Sequence, residues 1–148
     1  MKTVLTVFIL IAMGCSSQPN KNNIDKSAIP LIDSFFKNIQ TKDAVVALDQ
    51  LLGSNSNINL KDSATVGLKD NFTLINDASG TYMGYRLLKK RFIENDIGIY
   101  SYLAKYEKKF YRFVFMFYNN GNSVKLYKFL FDDDIDIELE GSLKFYTN

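Results

Sequence analysis

The sequence predicts an α+β domain: N-terminal helices packed on a curved antiparallel β-sheet meander. Apolar residues recur at helical spacing from about Lys26 to Ile75. Beyond Gly80 lie seventeen aromatic side chains, in runs rich in Tyr, Phe, Ile, Leu and Val. Turn-forming residues interrupt those runs at hairpin intervals. Helices first and strands after is the segregated order of α+β folds. A chain of 148 residues bounds the count at one domain, and 47% hydrophobic residues exclude disorder.

A first helix is expected from about Lys26 to Ile39. Ser27 is its candidate cap and Pro30 lies in the first turn, where proline is tolerated. Ile29, Ile32, Phe36 and Ile39 fall on one stripe, with Phe35 beside it. Thr41 opens a second helix whose apolar face is Val45, Leu48, Leu51 and Leu52, and Gly53 ends it. A third begins near Asn59 and Asp62 and aligns Leu60, Ala64, Leu68, Phe72 and Ile75. Strands follow near 81–94, 97–107, 110–118, 123–131 and 134–146. Asn95-Asp96, Glu107-Lys108-Lys109, Asn119-Asn120-Gly121-Asn122 and Asp132-Asp133-Asp134 supply the turns.

The first fifteen residues follow another logic. Lys2 supplies a positive start, and Thr3 to Met13 is almost wholly apolar. That run suits a signal core and is too short for a bilayer span, which needs ~20 residues. Gly14 and Cys15, the chain's one cysteine, close it. Ile11-Ala12-Met13-Gly14-Cys15 resembles the lipobox of bacterial lipoproteins. The resemblance implies that Cys15 carries acyl chains and that the signal is cut just before it. A chain of this type has a signal peptide at 1–14, a polar lipid-anchored tether at 15–25 and a globular domain at 26–148. The alternatives are an ordinary cleaved signal, an uncleaved anchor and a buried core strand. Ser16 and Ser17 stand where an aspartate retains lipoproteins on the inner membrane. By the same resemblance the expected address is the outer membrane, on its periplasmic side, with surface exposure not ruled out.

The domain, about Lys26 to Tyr146, resembles in outline the NTF2-like and cystatin-like group of small cone-shaped domains. The Phe35-Phe36 helix, the Val45–Leu52 helix and the strand Tyr111-Arg112-Phe113-Val114-Phe115 carry that likeness. A simpler helices-on-sheet domain is the other reading.

Missing residue types exclude much chemistry. Without histidine there is no histidine-dependent triad and no histidine-ligated zinc. With Cys15 assigned to lipid, no thiol nucleophile remains, and no glycine-rich phosphate loop occurs. No catalytic residue, metal site or cofactor is expected. Asp132, Asp133, Asp134, Asp136, Glu138 and Glu140 are the densest carboxylates. The last three alternate with Ile135, Ile137 and Leu139, which reads as a solvated strand face. A calcium turn and a catalytic pair are the lesser alternatives. Arg86, Lys89, Lys90, Arg91, Lys105, Lys108, Lys109 and Arg112 concentrate positive charge upstream. An export signal excludes nucleic acid as the partner. Anionic lipid headgroups, an anionic ligand and ordinary surface charge remain.

Strand 110–118 is apolar on both faces. Tyr111, Phe113, Phe115 and Phe117 share one, and Phe110, Val114, Met116 and Tyr118 the other. In the next strand Tyr127, Phe129 and Phe131 are assigned to one face, Val124, Leu126 and Leu130 to the second. Helices cover one side, so the other is extra core or a binding surface. The candidate ligand- or partner-binding residues are Tyr102, Arg112, Val114, Met116, Tyr118, Leu126, Lys128 and Leu130. The expected partners are the membrane, through the N-terminal lipid, and an envelope protein or a small apolar or anionic ligand. The expectation is therefore a non-catalytic binding domain on the envelope. A small enzyme using carboxylate or tyrosine acid–base groups and a structural assembly subunit are the alternatives.

Overall fold

The computed structural model describes residues 22–136. Cys15, the tether before Asn22 and the expected strand residues after Asp136, Glu138 and Glu140 among them, lie outside the described residues. The order is α1 (Asn22–Thr41), α2 (Ala44–Gly53), α3 (Ser63–Ala78), β1 (Tyr82–Ile93), β2 (Ile97–Tyr106), β3 (Phe110–Asn119) and β4 (Val124–Asp132). The strands form one antiparallel sheet in the order β1-β2-β3-β4, a plain meander. The three helices pack against it, so the fold is α+β.

α1 starts at Asn22, inside the segment expected as tether, and Ser27 and Pro30 lie within it. Proline removes one backbone donor from the ladder. Apolar burial on both sides of it carries the helix through: Ile24, Ala28, Ile32, Phe35, Phe36 and Ile39 are all buried, whereas Ile29 is exposed. Thr41 does not cap α2. Its hydroxyl donates to the Lys37 carbonyl at the end of α1, and Asp43 is the cap, accepting from the Val45 amide at 2.6 Å. Asp62 caps α3, of which only Phe72 is fully buried.

One core fills the space between the helices and one sheet face. Tyr100, Tyr102, Ala104 and Tyr106 of β2 and Tyr111, Phe113, Phe115 and Phe117 of β3 enter it as alternation predicts. Phe35 lies at its centre, 5.3–6.0 Å between ring centroids from Phe72, Phe113, Phe115 and Phe129. Gly98 lets α1 come close: a Cβ there would stand 2.6 Å from Ile24 Cγ2.

β4 departs from simple alternation. Met116 pairs with Lys128, but Phe117 pairs with Leu126, leaving Tyr127 as an extra residue. This bulge reverses the parity of the strand's first half. Leu126 therefore joins Phe129 and Phe131 on the helix side, and Tyr127, expected there, is 66% exposed. The Leu126 carbonyl accepts from the buried Asn55 amide at 2.9 Å, which ties the α2–α3 loop to the bulge.

The strand expected from 134 does not begin there. The Asp134 amide donates to Asp132 Oδ1, a side-chain turn that closes β4. Residues 133–135 are not strand, and Asp136 is helical.

Candidate functional site

Strand pairing sorts the candidate residues by face. Tyr102 and Leu126 are on the helix side, buried in the core. Arg112, Val114, Met116, Tyr118, Lys128 and Leu130 all stand on the opposite face, against which none of the three helices packs.

On that outer face the side chains form cross-strand rows, read from β1 to β4. At the end bearing the β1–β2 and β3–β4 turns, the first row is Ile93, Ile97, Tyr118 and Lys125. The second is Arg91, Ile99, Met116 and Lys128, and the third is Lys89, Ser101, Val114 and Leu130. The fourth is Arg86, Leu103, Arg112 and Asp132. The middle of the face is apolar or small as far as the third row, and the cations stand on the two outer strands. A shallow cavity of about 280 Å³ opens among Ile97, Met116, Tyr118 and Tyr127.

In the fourth row Arg112 holds Asp132 through two hydrogen bonds, Nε to Oδ1 at 3.0 Å and Nη2 to Oδ2 at 2.8 Å. Lys109 meets Asp133 at 3.4 Å. Two carboxylates of the acidic run are thus committed to cations. Among the described residues no three His, Cys, Asp or Glu side chains lie close enough to hold a metal ion. Among the described residues, too, Lys89, Arg91, Lys125 and Lys128 form none of the ion pairs of this face.

The helix side has its own polar ties. Asp25 accepts from Tyr100 at 2.7 Å and from Lys90 at 2.8 Å. Burial raises the Asp25 carboxyl, but these two hydrogen bonds and the Lys90 charge outweigh it, and the net direction is down. Asp33 accepts from Tyr85 at 2.8 Å. Burial first, then the Asp33 carboxylate, pushes the Tyr85 hydroxyl up to about 12. Burial likewise raises Tyr82, Tyr100, Tyr102 and Tyr106. The Tyr82 and Tyr106 hydroxyls are buried without a hydrogen-bond partner. At neutral pH these tyrosines are therefore neutral, and the two carboxylates hold α1 to β1 and β2.

Periodicity alone could not locate the bulge. A signal was present: two polar-capable residues, Tyr127 and Lys128, separate Leu126 from Phe129, where alternation allows one. The alignment of Arg91 with Lys128 across four strands needs the pairing register, which no single strand encodes. Compared with protein-family models, with curated proteins and with solved structures, the chain finds no match in any of the three.

Proposed function

We propose that this chain is an envelope lipoprotein, anchored by acyl chains on Cys15, whose domain binds a ligand or an envelope protein through the outer sheet face. The observation that supports the binding role is the placement of six candidate residues on the face opposite all three helices. An apolar centre with a few polar groups at its rim is the usual make-up of a binding surface. Tyr118 offers a hydroxyl there, and Arg112 and Lys128 offer charge beside stems that cover apolar surface. The anchor reading rests on the sequence through Cys15. One acyl chain gives marginal attachment, and two or three give a stable one. Ser16 and Ser17 in place of an aspartate favour the outer membrane, and the lack of an acidic cluster close behind Cys15 favours its periplasmic leaflet. Within the same proposal the sheet curves around α1, in the manner of the NTF2-like and cystatin-like group. The register shifts in the β1–β2 and β3–β4 pairs support curvature, because bulges bend strands.

A second reading has one observation in its favour. Asp33 and Tyr85 border a cavity of about 360 Å³ together with Tyr82 and Gln40. A carboxylate beside tyrosines is what a small acid–base enzyme would need. The raised tyrosines oppose a base role at neutral pH, and the Asp33–Tyr85 bond has a structural use already.

Two measurements test the proposal. Cells expressing the chain or its Cys15→Ser variant receive an alkyne-bearing fatty acid. Label on the wild type alone is expected, and equal labelling or none defeats the anchor. Native mass spectrometry of the purified chain should show a bound mass or self-association that Val114→Asp removes, with a fall in melting temperature of only about 4 °C. A wild type with neither defeats the binding face.

A further inference from the structure

The two rows nearest the turns differ from the rest of the outer face. Their centre is Ile97, Ile99, Tyr118 and Met116, and their flanks carry Arg91 on β1 and Lys125 and Lys128 on β4. Neither row contains an acid, although Glu94 and Asp96 lie in the adjoining β1–β2 turn. Large apolar side chains are open to solvent here: Ile93 is 57%, Tyr118 47% and Tyr127 66% exposed. Asn119 bridges the two turns. Its amide donates to the Asp96 carbonyl at 2.7 Å and its side chain to the Asn95 carbonyl at 3.1 Å, so the two turns at this end of the sheet are tied together.

The chain enters the domain at the same end. Ile24 lies against Gly98, and Asp25 bonds Lys90 and Tyr100. Seven Cα steps separate Cys15 from Asn22, a reach of at most about 25 Å. An anchor on Cys15 therefore holds this end of the sheet, rather than the Asp132 end, towards the bilayer.

We propose that the turn end of the outer face docks on anionic lipid headgroups. Arg91, Lys125 and Lys128 meet the phosphates, and Tyr118, Tyr127 and Ile93 enter the interfacial layer. Tyrosine suits that layer because its ring is apolar and its hydroxyl polar. Basic side chains near an anionic surface each strengthen binding severalfold. Tyr118, Met116 and Lys128 of the proposed binding face would thus meet the lipid, and Val114, Leu130 and Arg112 in the third and fourth rows, further from the tether, stay available to a ligand or envelope protein. The inference rests on the anchor reading only in preferring a lipid to an acidic protein.

The test uses the full chain with Cys15→Ser, which carries no acyl group, so its result is independent of whether Cys15 is lipidated. The chain has no tryptophan, so Tyr127→Trp provides a single emitter on the docking edge. Leu74→Trp, at a site 67% exposed on α3, provides one on the helix side. Vesicles of phosphatidylcholine, with and without one third phosphatidylglycerol, are added to each. The expected result is a blue shift of the Tyr127→Trp emission on the anionic vesicles alone, reversed by salt. Adding Arg91→Glu, Lys125→Glu and Lys128→Glu should weaken that partitioning on the order of a hundred-fold, with a melting temperature near that of the parent. A silent Tyr127→Trp, or an equal shift from Leu74→Trp, overturns the proposal. A shift on polyglutamate with none on anionic vesicles also overturns it and assigns the edge to an acidic protein.

Discussion

Phe115 and Met116 are neighbours in sequence and opposites in environment, which makes them a sharp test of the two-faced sheet. Phe115 is fully buried and its ring centroid lies 5.1 Å from Phe129, 5.4 Å from Phe35, 5.8 Å from Phe36 and 5.9 Å from Tyr102. Truncation to alanine removes those contacts and leaves a void that helices and sheet cannot fill by collapsing. Such changes cost about 3–5 kcal/mol. At about 4 °C per kcal/mol for a domain of this size, Phe115→Ala should melt roughly 12–20 °C lower. Met116 is half-buried and pairs across the outer face with Lys128, with Arg91 on the far strand of the same row. Met116→Asp forfeits about half of a methionine's burial, roughly 1 kcal/mol, and its carboxylate finds water and two cations nearby. A fall of only about 4 °C is expected. The assay is thermal unfolding by circular dichroism at neutral pH, for both variants and the parent. If Met116→Asp falls as far as Phe115→Ala, a charge has been buried at 116, and the reasoning that leaves this face for binding fails.

Deleting Tyr127 should be tolerated, because Leu126, Lys128, Phe129, Leu130 and Phe131 then alternate inward and outward without a bulge. Deleting Leu130 forces Phe129 or Phe131 out of the core and should cost at least about 3 kcal/mol; equal losses in urea unfolding would contradict the register of β4. The buried tyrosines set an alkaline limit. Each has a folded pKa above its ordinary value of 10, so the stability it contributes is complete below that pH and is lost as pH rises through the folded value, about 12 for Tyr85. Tyrosinate absorbance should therefore develop together with unfolding; full ionisation of a still-folded domain would refute the burial. At the acid end, Asp25 has a lowered folded pKa, so its contribution is present above the ordinary aspartate pKa and lost as pH falls through the folded value. The stability gap between the parent and Asp25→Asn should be full at neutral pH and close in acid, and a gap independent of pH would show that the carboxylate's charge is not what holds α1.

Sequence alone determined the class and the order of the described elements. Strong local signals account for this. Phe35, Phe36, Leu48, Leu51, Leu52 and Phe72 recur at helical spacing, and Tyr100, Tyr102, Tyr111, Phe113, Phe115 and Phe117 at strand spacing, whatever partners they later meet. Gly121 with its flanking asparagines likewise fixes a turn by local backbone preference, its φ being 88°. Tertiary structure decided what local preference leaves open. α1 runs through Pro30 because Ile24 and Ala28 have a sheet to bury against. Asp43 and not Thr41 caps α2, a choice between adjacent residues that depends on where α1 ends. Residues 133–135 turn on the Asp132 side chain instead of extending, although the alternation that begins there reads as strand. Leu126 went to the core because one residue at a bulge reverses every side chain of β4 before it, and Tyr102 because the β2–β3 register sets it opposite Phe113, while Arg112, Val114, Met116, Tyr118, Lys128 and Leu130 faced outward. Which face a strand residue occupies depends on pairing with other strands and on which side the helices settle, and both are set by contacts between residues far apart in the chain.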